Sequence, residues 1–86
     1  MSPWNYPVQL ALAPAIGALA AGNRVMLKPS EVTPATSALL AEAIAQRFAS
    51  DEFTVVIGDA DTGAAFTRLP FDHLFFTGST AVGRLV

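Results

Sequence analysis

The 86-residue chain contains no cysteine and a single histidine, His73. Disulfides and thiolate metal sites are therefore excluded, and one imidazole cannot form a histidine metal cluster. Charge is also sparse, since five Lys and Arg residues against seven Asp and Glu give a net charge of -2, with no basic run. Binding to a phosphate backbone needs clustered positive charge, so nucleic acid is not an expected partner. A chain without disulfides has the cytoplasm as its default compartment.

The residues from Met1 to Asn23 carry no charge, a composition that is also found in signal peptides and membrane spans. A signal peptide needs a basic n-region, which is absent, and Pro3, Pro7 and Pro14 interrupt the stretch. We therefore expect a buried helix and no membrane span. The chain as a whole is 52% hydrophobic with a mean hydropathy of +0.46, so part of its surface is expected to face something outside the chain.

The length allows one domain, residues 1–86. Short apolar runs bounded by turn residues are typical of strands that are buried on both faces of a parallel sheet. Three such runs occur, at Arg24–Lys28, Phe53–Ile57 and His73–Thr77.

Helical segments alternate with these runs. Thr33–Phe48 is predicted to be an amphipathic helix, with Thr33 as its cap, Pro34 at its first position, and Glu42 and Gln46 opposite an apolar stripe formed by Leu39, Leu40, Ala43, Ile44 and Phe48. Further helices are predicted over Pro7–Ala21, which Pro14 interrupts and Gly22-Asn23 ends, over Asp61–Arg68, and from about Ser79 onwards.

This alternation predicts an α/β fold, a partial Rossmann-like parallel sheet with flanking helices. Ligands of such sheets bind beyond the carboxyl ends of the strands, so function is expected just after each strand. The chain begins where another strand is expected and stops as its last helix begins, so we expect both ends to be truncated.

After the third run, Gly78 and Ser79 lead into a helix, an arrangement that suits phosphate because a helix start presents free N–H donors. The spacing is neither that of a dinucleotide fingerprint nor that of a P-loop, and a glycine turn with a serine cap is the structural alternative.

Lys28 and Glu31 come directly after Leu27 of the first run, where Pro29 keeps the backbone extended. They suit a sugar diol, with Lys28 donating to its hydroxyls and Glu31 accepting from them. The alternative is a solvated lysine beside a helix-start glutamate.

Asn5 stands where it can cap the helix after Pro7, or point its amide at a substrate oxyanion. Trp4 is interpreted first as a core aromatic, His73 as structural, and Asp59 and Asp61 as turn formers.

The motifs Ser2-Pro3-Trp4-Asn5-Tyr6-Pro7, Leu27-Lys28-Pro29-Ser30-Glu31 and Phe76-Thr77-Gly78-Ser79-Thr80 resemble, in order, those of the aldehyde dehydrogenase superfamily. The turn Gly58–Gly63 and Phe71-Asp72-His73 look most like its coniferyl-aldehyde and class 3 fatty-aldehyde branch.

The resemblance implies an oxidoreductase that converts an aldehyde to a carboxylic acid with NAD or NADP, and residues 1–86 as part of its cofactor domain. Asn5 would stabilise the oxyanion and Trp4 would lie against the cofactor. Lys28 and Glu31 would bind the adenosine ribose, Gly78 and Ser79 the pyrophosphate, and Val82 would pack near the adenine. Family members are usually homo-oligomers.

The cysteine nucleophile and the base glutamate of the family have no counterpart in this chain. A non-catalytic fragment, or a nucleotide-binding module without enzyme activity, is therefore the alternative. The choice between NAD and NADP stays open, because Glu31 would repel a ribose 2′-phosphate and Lys28 would attract it with comparable strength.

Overall fold

The computed structural model describes all 86 residues, and helices alternate with strands along them. The elements are α1 (Gln9–Ala20), β1 (Val25–Leu27), α2 (Pro34–Arg47), β2 (Phe53–Val55), α3 (Ala60–Thr67) and α4 (Thr80–Gly83). The predicted α/β class is confirmed.

The two strands lie side by side and run parallel, with Val25 opposite Phe53 and Leu27 opposite Val55. Helix α2 connects them, so β1, α2 and β2 form one crossover unit. Each strand has three residues, fewer than the runs predicted from the sequence. The pairing ends where the Val56 N–H donates to the Leu27 carbonyl at 2.8 Å. Pro29, two residues further on, has no N–H with which to continue it.

The third predicted strand, His73–Thr77, is wrong as a regular strand. The segment has only Met1 opposite it: the Met1 α-amino group donates to the Phe75 carbonyl at 2.7 Å, and the Thr77 N–H donates to the Met1 carbonyl at 3.3 Å. In a parallel pair, a residue hydrogen-bonds to the residues before and after the one that lies opposite it, and Met1 bonds in this way to Phe75 and Thr77. The segment thus runs parallel to the start of the chain, but a single residue is too short to form a ladder.

Helix α2 begins at Pro34, as predicted, because proline suits the first position of a helix, where an N–H would have no partner. The predicted cap is wrong, since the Thr33 side chain makes no capping hydrogen bond. The preceding turn is held by Ser30 instead, whose hydroxyl accepts from the Val32 N–H at 3.1 Å and whose carbonyl accepts from the Ser37 hydroxyl at 2.9 Å.

Helix α1 ends at the predicted Gly22-Asn23 pair. Gly22 has a φ of 84°, the left-handed conformation that lets a helix terminate, and the Asn23 N–H bonds back to the Ala18 carbonyl at 3.0 Å. At the other end, Asn5 does not cap the helix, which lacks any side-chain cap. Tyr6 has a φ of 51° there, and the Leu10 N–H donates to the Tyr6 carbonyl.

The core lies where α1 and α2 pack on the two strands. It comprises Ala11, Ala15, Leu27, Leu40, Ile44 and Phe53. Leu39, placed on the same stripe in the sequence, is 67% exposed, because one residue is about 100° around the helix from Leu40. Only 12 of the 86 residues are buried, so much of the apolar surface faces outward.

Candidate functional site

Three chain segments that carry candidate residues meet at the carboxyl edge of the sheet. The Ser2 N–H donates to the Lys28 carbonyl at 3.1 Å, and Met1 pairs with the segment that ends at Thr77. The order across this edge is therefore β2, β1, Met1-Ser2 and Phe75–Thr77. Asn5 follows Ser2 by three residues and Ser79 follows Thr77 by two, so backbone pairing brings the three junctions next to one another.

Lys28 is buried, with 3% of its surface exposed, which rules out the solvated alternative. Its Nζ donates to the Pro29 carbonyl at 2.9 Å and lies 3.6 Å from Oε2 of Glu31, whose side chain is half-exposed. An ammonium group has three donors, so at least one is left beyond these two contacts. The pair thus places one unused ammonium donor beside a half-exposed carboxylate acceptor.

Helix α3 lies against the stem of Lys28. Gly63 is buried in the helix, and a Cβ at this position would lie 4.0 Å from Cε of Lys28 and 3.4 Å from Cε of Met1. The carbonyl of Asp59 accepts from the Gly63 N–H at 2.9 Å. The first turn of α3 is therefore the neighbour of the Lys28 loop.

Asp59 caps α3, in line with its interpretation as a turn former. The backbone N–H of Thr62 donates to Oδ1 of Asp59 at 3.0 Å and its hydroxyl donates to the same atom at 3.2 Å. These hydrogen bonds hold the pKa of the Asp59 carboxyl below its ordinary value. The residue is exposed, and both hydrogen bonds from Thr62 fall on Oδ1, so neither uses Oδ2.

Ser79 caps the short helix α4, because its Oγ accepts from the Val82 N–H at 3.2 Å. The serine cap is thus present in the structure, and the hydroxyl proton is still free to be donated. Gly78 is held close to an aromatic ring, since a Cβ there would lie 2.4 Å from Cζ of Phe76. Ser79 and Gly78 are both exposed.

Trp4, Asn5 and Val82 are exposed, and Asn5 makes no hydrogen bond within the chain. The interpretation of Trp4 as a core aromatic is wrong, because 61% of its surface is open. His73 is exposed as well.

Ser2 is a residue that the sequence analysis missed. It is buried, and its Oγ has no hydrogen-bond partner. It lies between the Lys28 loop and the Phe75–Thr77 segment, and a lone serine before proline carries no sequence signal for burial. The neighbouring Met1 α-amino group has a lowered pKa, first because it is buried and second because the charge of Lys28 opposes its protonation.

The crossover connection and the convergence of three junctions at one strand edge define an α/β protein of the parallel-sheet class. The profile of the aldehyde dehydrogenase family matches residues 1–86. The chain belongs to the aldehyde dehydrogenase family.

Individual relatives agree with this assignment. The chain is 62% identical over 84 residues to a coniferyl aldehyde dehydrogenase of a Pseudomonas species, an alignment that covers 98% of this chain and 18% of the relative. It is 54% identical over 83 residues to a 4,4'-diapolycopene-4,4'-dial dehydrogenase of Cytobacillus firmus, covering 96% of this chain and 18% of the relative. A mouse aldehyde dehydrogenase family 3 member B1 is 46% identical over 84 residues, with coverages of 98% and 18%.

A solved structure of the substrate-bound state of Staphylococcus aureus AldH superposes with a TM-score of 0.95 at 42% sequence identity, covering 98% of this chain and 18% of that one. The chain thus spans less than a fifth of the length of the relatives that it matches. No helix in the structure is long and apolar enough to cross a membrane.

Proposed function

We propose that the protein to which this chain belongs oxidises an aldehyde to a carboxylic acid with NAD or NADP. Residues 1–86 supply part of its dinucleotide pocket, within a Rossmann-like cofactor domain, and one oxyanion donor. The observation that carries the proposal is the pairing of Ser2 with Lys28 and of Met1 with Thr77. This pairing sets the junctions leading to Asn5, Glu31 and Ser79 along one edge of the sheet.

The donor set at this edge fits a dinucleotide. Lys28 and Glu31 present an ammonium and a carboxylate 3.6 Å apart, which suits the paired hydroxyls of the adenosine ribose. Ser79 and the N–H groups at the start of α4 suit a pyrophosphate, and Gly78 beside them is exposed. Trp4 offers an exposed ring face to the cofactor, and Val82 an apolar contact to the adenine.

The bound cofactor supplies the hydride acceptor. The role of Asn5 is to donate a hydrogen bond from its side-chain amide N–H to the aldehyde oxygen. Negative charge develops on that oxygen as the aldehyde carbon becomes tetrahedral. Asn5 is exposed and free of internal hydrogen bonds, so its amide is available for this purpose. The relatives' names point to aromatic and long apolar aldehydes as candidate substrates.

The test uses the polypeptide encoded by the complete reading frame that contains these residues, here called the full-length protein. In Asn5→Ala, kcat is expected to fall by ~10²–10³ while cofactor affinity stays within about twofold of the original. In Ser79→Gly, the Kd for NAD is expected to rise by about tenfold, because one hydroxyl contact and one helix cap are lost.

Gln9→Ala is the matched control, since Gln9 is exposed at the start of α1 and no role in the proposed site is assigned to it. Full aldehyde oxidation in Asn5→Ala, together with unchanged NAD affinity in Ser79→Gly, would remove the proposal.

A second candidate is a chain without catalytic activity that docks on a partner or merely persists as a fragment. The exposed apolar side chains favour it, with Trp4, Ile16 and Leu85 each more than half open. Residues 1–86 expressed alone decide the matter. A cooperative thermal transition with measurable NAD binding would argue against this candidate, whereas aggregation without binding would favour it.

A further inference from the structure

We propose that Asp59 makes this site selective for NAD over NADP, by accepting a hydrogen bond from the adenosine 2′-hydroxyl and by repelling a 2′-phosphate. The inference rests on the proposed function, because it concerns the same dinucleotide pocket. It assigns to Asp59 a role beyond that of a helix cap.

The position of Asp59 follows from the sheet. Strands β1 and β2 are neighbours, so the loop after Leu27 and the turn after Val55 leave the same edge side by side. Gly63 lies against the stem of Lys28, and Asp59 is one helical turn before Gly63. The turn that Asp59 begins therefore adjoins the stem of Lys28, next to the loop to which the ribose is assigned.

The chemistry of Asp59 fits a ribose hydroxyl. Oδ1 is engaged by both hydrogen bonds from Thr62, which fix the carboxylate in one orientation. Neither Thr62 hydrogen bond uses Oδ2, and the residue is exposed, so Oδ2 can accept a hydrogen bond from outside. In dinucleotide folds generally, a carboxylate near the end of a strand accepts from the 2′-hydroxyl of NAD.

The local charge opposes a phosphate. Glu31 offsets the charge of Lys28, and Asp59 and Asp61 add two further negative charges on the adjacent turn. Nearby cations do not compensate them. Arg68 follows the far end of α3, and Arg84 belongs to the junction after Thr77, which β1 and Met1-Ser2 separate from β2.

The experiment measures the Kd of NAD⁺ and of NADP⁺ by calorimetry on the full-length protein, without an aldehyde. In Asp59→Asn, the ratio of the NADP⁺ Kd to the NAD⁺ Kd is expected to fall about five- to tenfold, the effect of one carboxylate on a phosphomonoester about 6 Å away in a water-like dielectric. Asparagine is also a good helix cap, so α3 is expected to stay folded.

Asp61→Asn is expected to lower the ratio less than Asp59→Asn does, since no contact with the ribose is assigned to Asp61. Asp51→Asn is the matched control. Asp51 is exposed in the turn before β2, at the opposite end of the sheet, and its replacement removes the same charge. The Kd ratio is expected to be unchanged in this variant.

The outcomes separate the two proposals. If both dinucleotides bind and the ratio is the same in Asp59→Asn as in the original protein, Asp59 does not select the cofactor and the proposed function survives. An equal shift in Asp51→Asn would also overturn the inference, because net charge alone would explain it. If neither dinucleotide binds the original protein, the proposed function and the inference fail together.

Discussion

Replacement of Lys28 by methionine separates the proposed binding role of this residue from its structural role. Methionine keeps most of the apolar stem that packs against Gly63, so the cavity term is small. The Pro29 carbonyl loses the 2.9 Å hydrogen bond from Nζ, at a cost of about 1–3 kcal/mol if it stays buried and unpaired. The ion pair with Glu31, whose carboxylate is half-exposed, contributes at most about 1 kcal/mol.

Burial of the ammonium opposes these losses, because removing a charge from a buried position recovers its desolvation cost. The free energy of unfolding of Lys28→Met is therefore expected to change by less than about 2 kcal/mol. Cofactor binding has no such compensation. Loss of a charge-assisted hydrogen bond to the ribose is expected to raise the Kd for NAD by about 10- to 100-fold.

The assay combines calorimetric titration with NAD⁺ and urea unfolding on the same full-length protein. Arg24→Met is the matched control, since Arg24 is exposed just before the other end of β1 and its replacement removes the same charge. Unchanged affinity in Lys28→Met, with the stability in the expected range, would refute a ribose-binding role. A similar loss of affinity in Arg24→Met would refute the assignment to this edge.

Three further outcomes follow from the geometry. Gly22→Ala is expected to lower the free energy of unfolding by about 1–2 kcal/mol, because a side chain is strained at its φ of 84°. Gly17→Ala is expected to raise it by about 0.5–1 kcal/mol, because a Cβ has open space there inside α1. Urea unfolding in which the two variants change stability in the same direction would contradict this prediction. Ile44→Ala, in the core, is expected to lower the free energy of unfolding by about 2–4 kcal/mol. Leu39→Ala, on the exposed side of α2, is expected to lower it by less than about 0.5 kcal/mol. Comparable losses of stability in the two variants would mean that α2 faces another way. The Asp59 cap contributes stability that is fully present above its ordinary pKa of 3.8 and is lost as the pH falls through the lower folded-state pKa; a carboxyl titration by NMR with a midpoint at or above 3.8 would contradict it.

The sequence alone determined the order and type of the elements. Apolar runs bounded by turn residues predicted β1 and β2, and the helical periodicity with Pro34 at its start predicted α2. Gly22 marked the end of α1, since few other residues tolerate a positive φ. These features are local, because they depend on residues within a few positions along the chain. The motifs around Asn5, Lys28 and Ser79 were likewise sufficient to indicate the family.

Tertiary structure decided the features that depend on distant neighbours. Whether His73–Thr77 forms a strand depends on its hydrogen bonds to a distant segment, and in the structure these bonds are the two made with Met1. The burial of Lys28 follows from its packing against α3, although a lysine before proline reads as a solvated side chain. Asp59 looks like an ordinary turn residue until the adjacency of β1 and β2 sets it beside the Lys28 loop. Hydrogen bonds and charges act through space, so a site assembled from four separate segments is defined only once the sheet has brought those segments together.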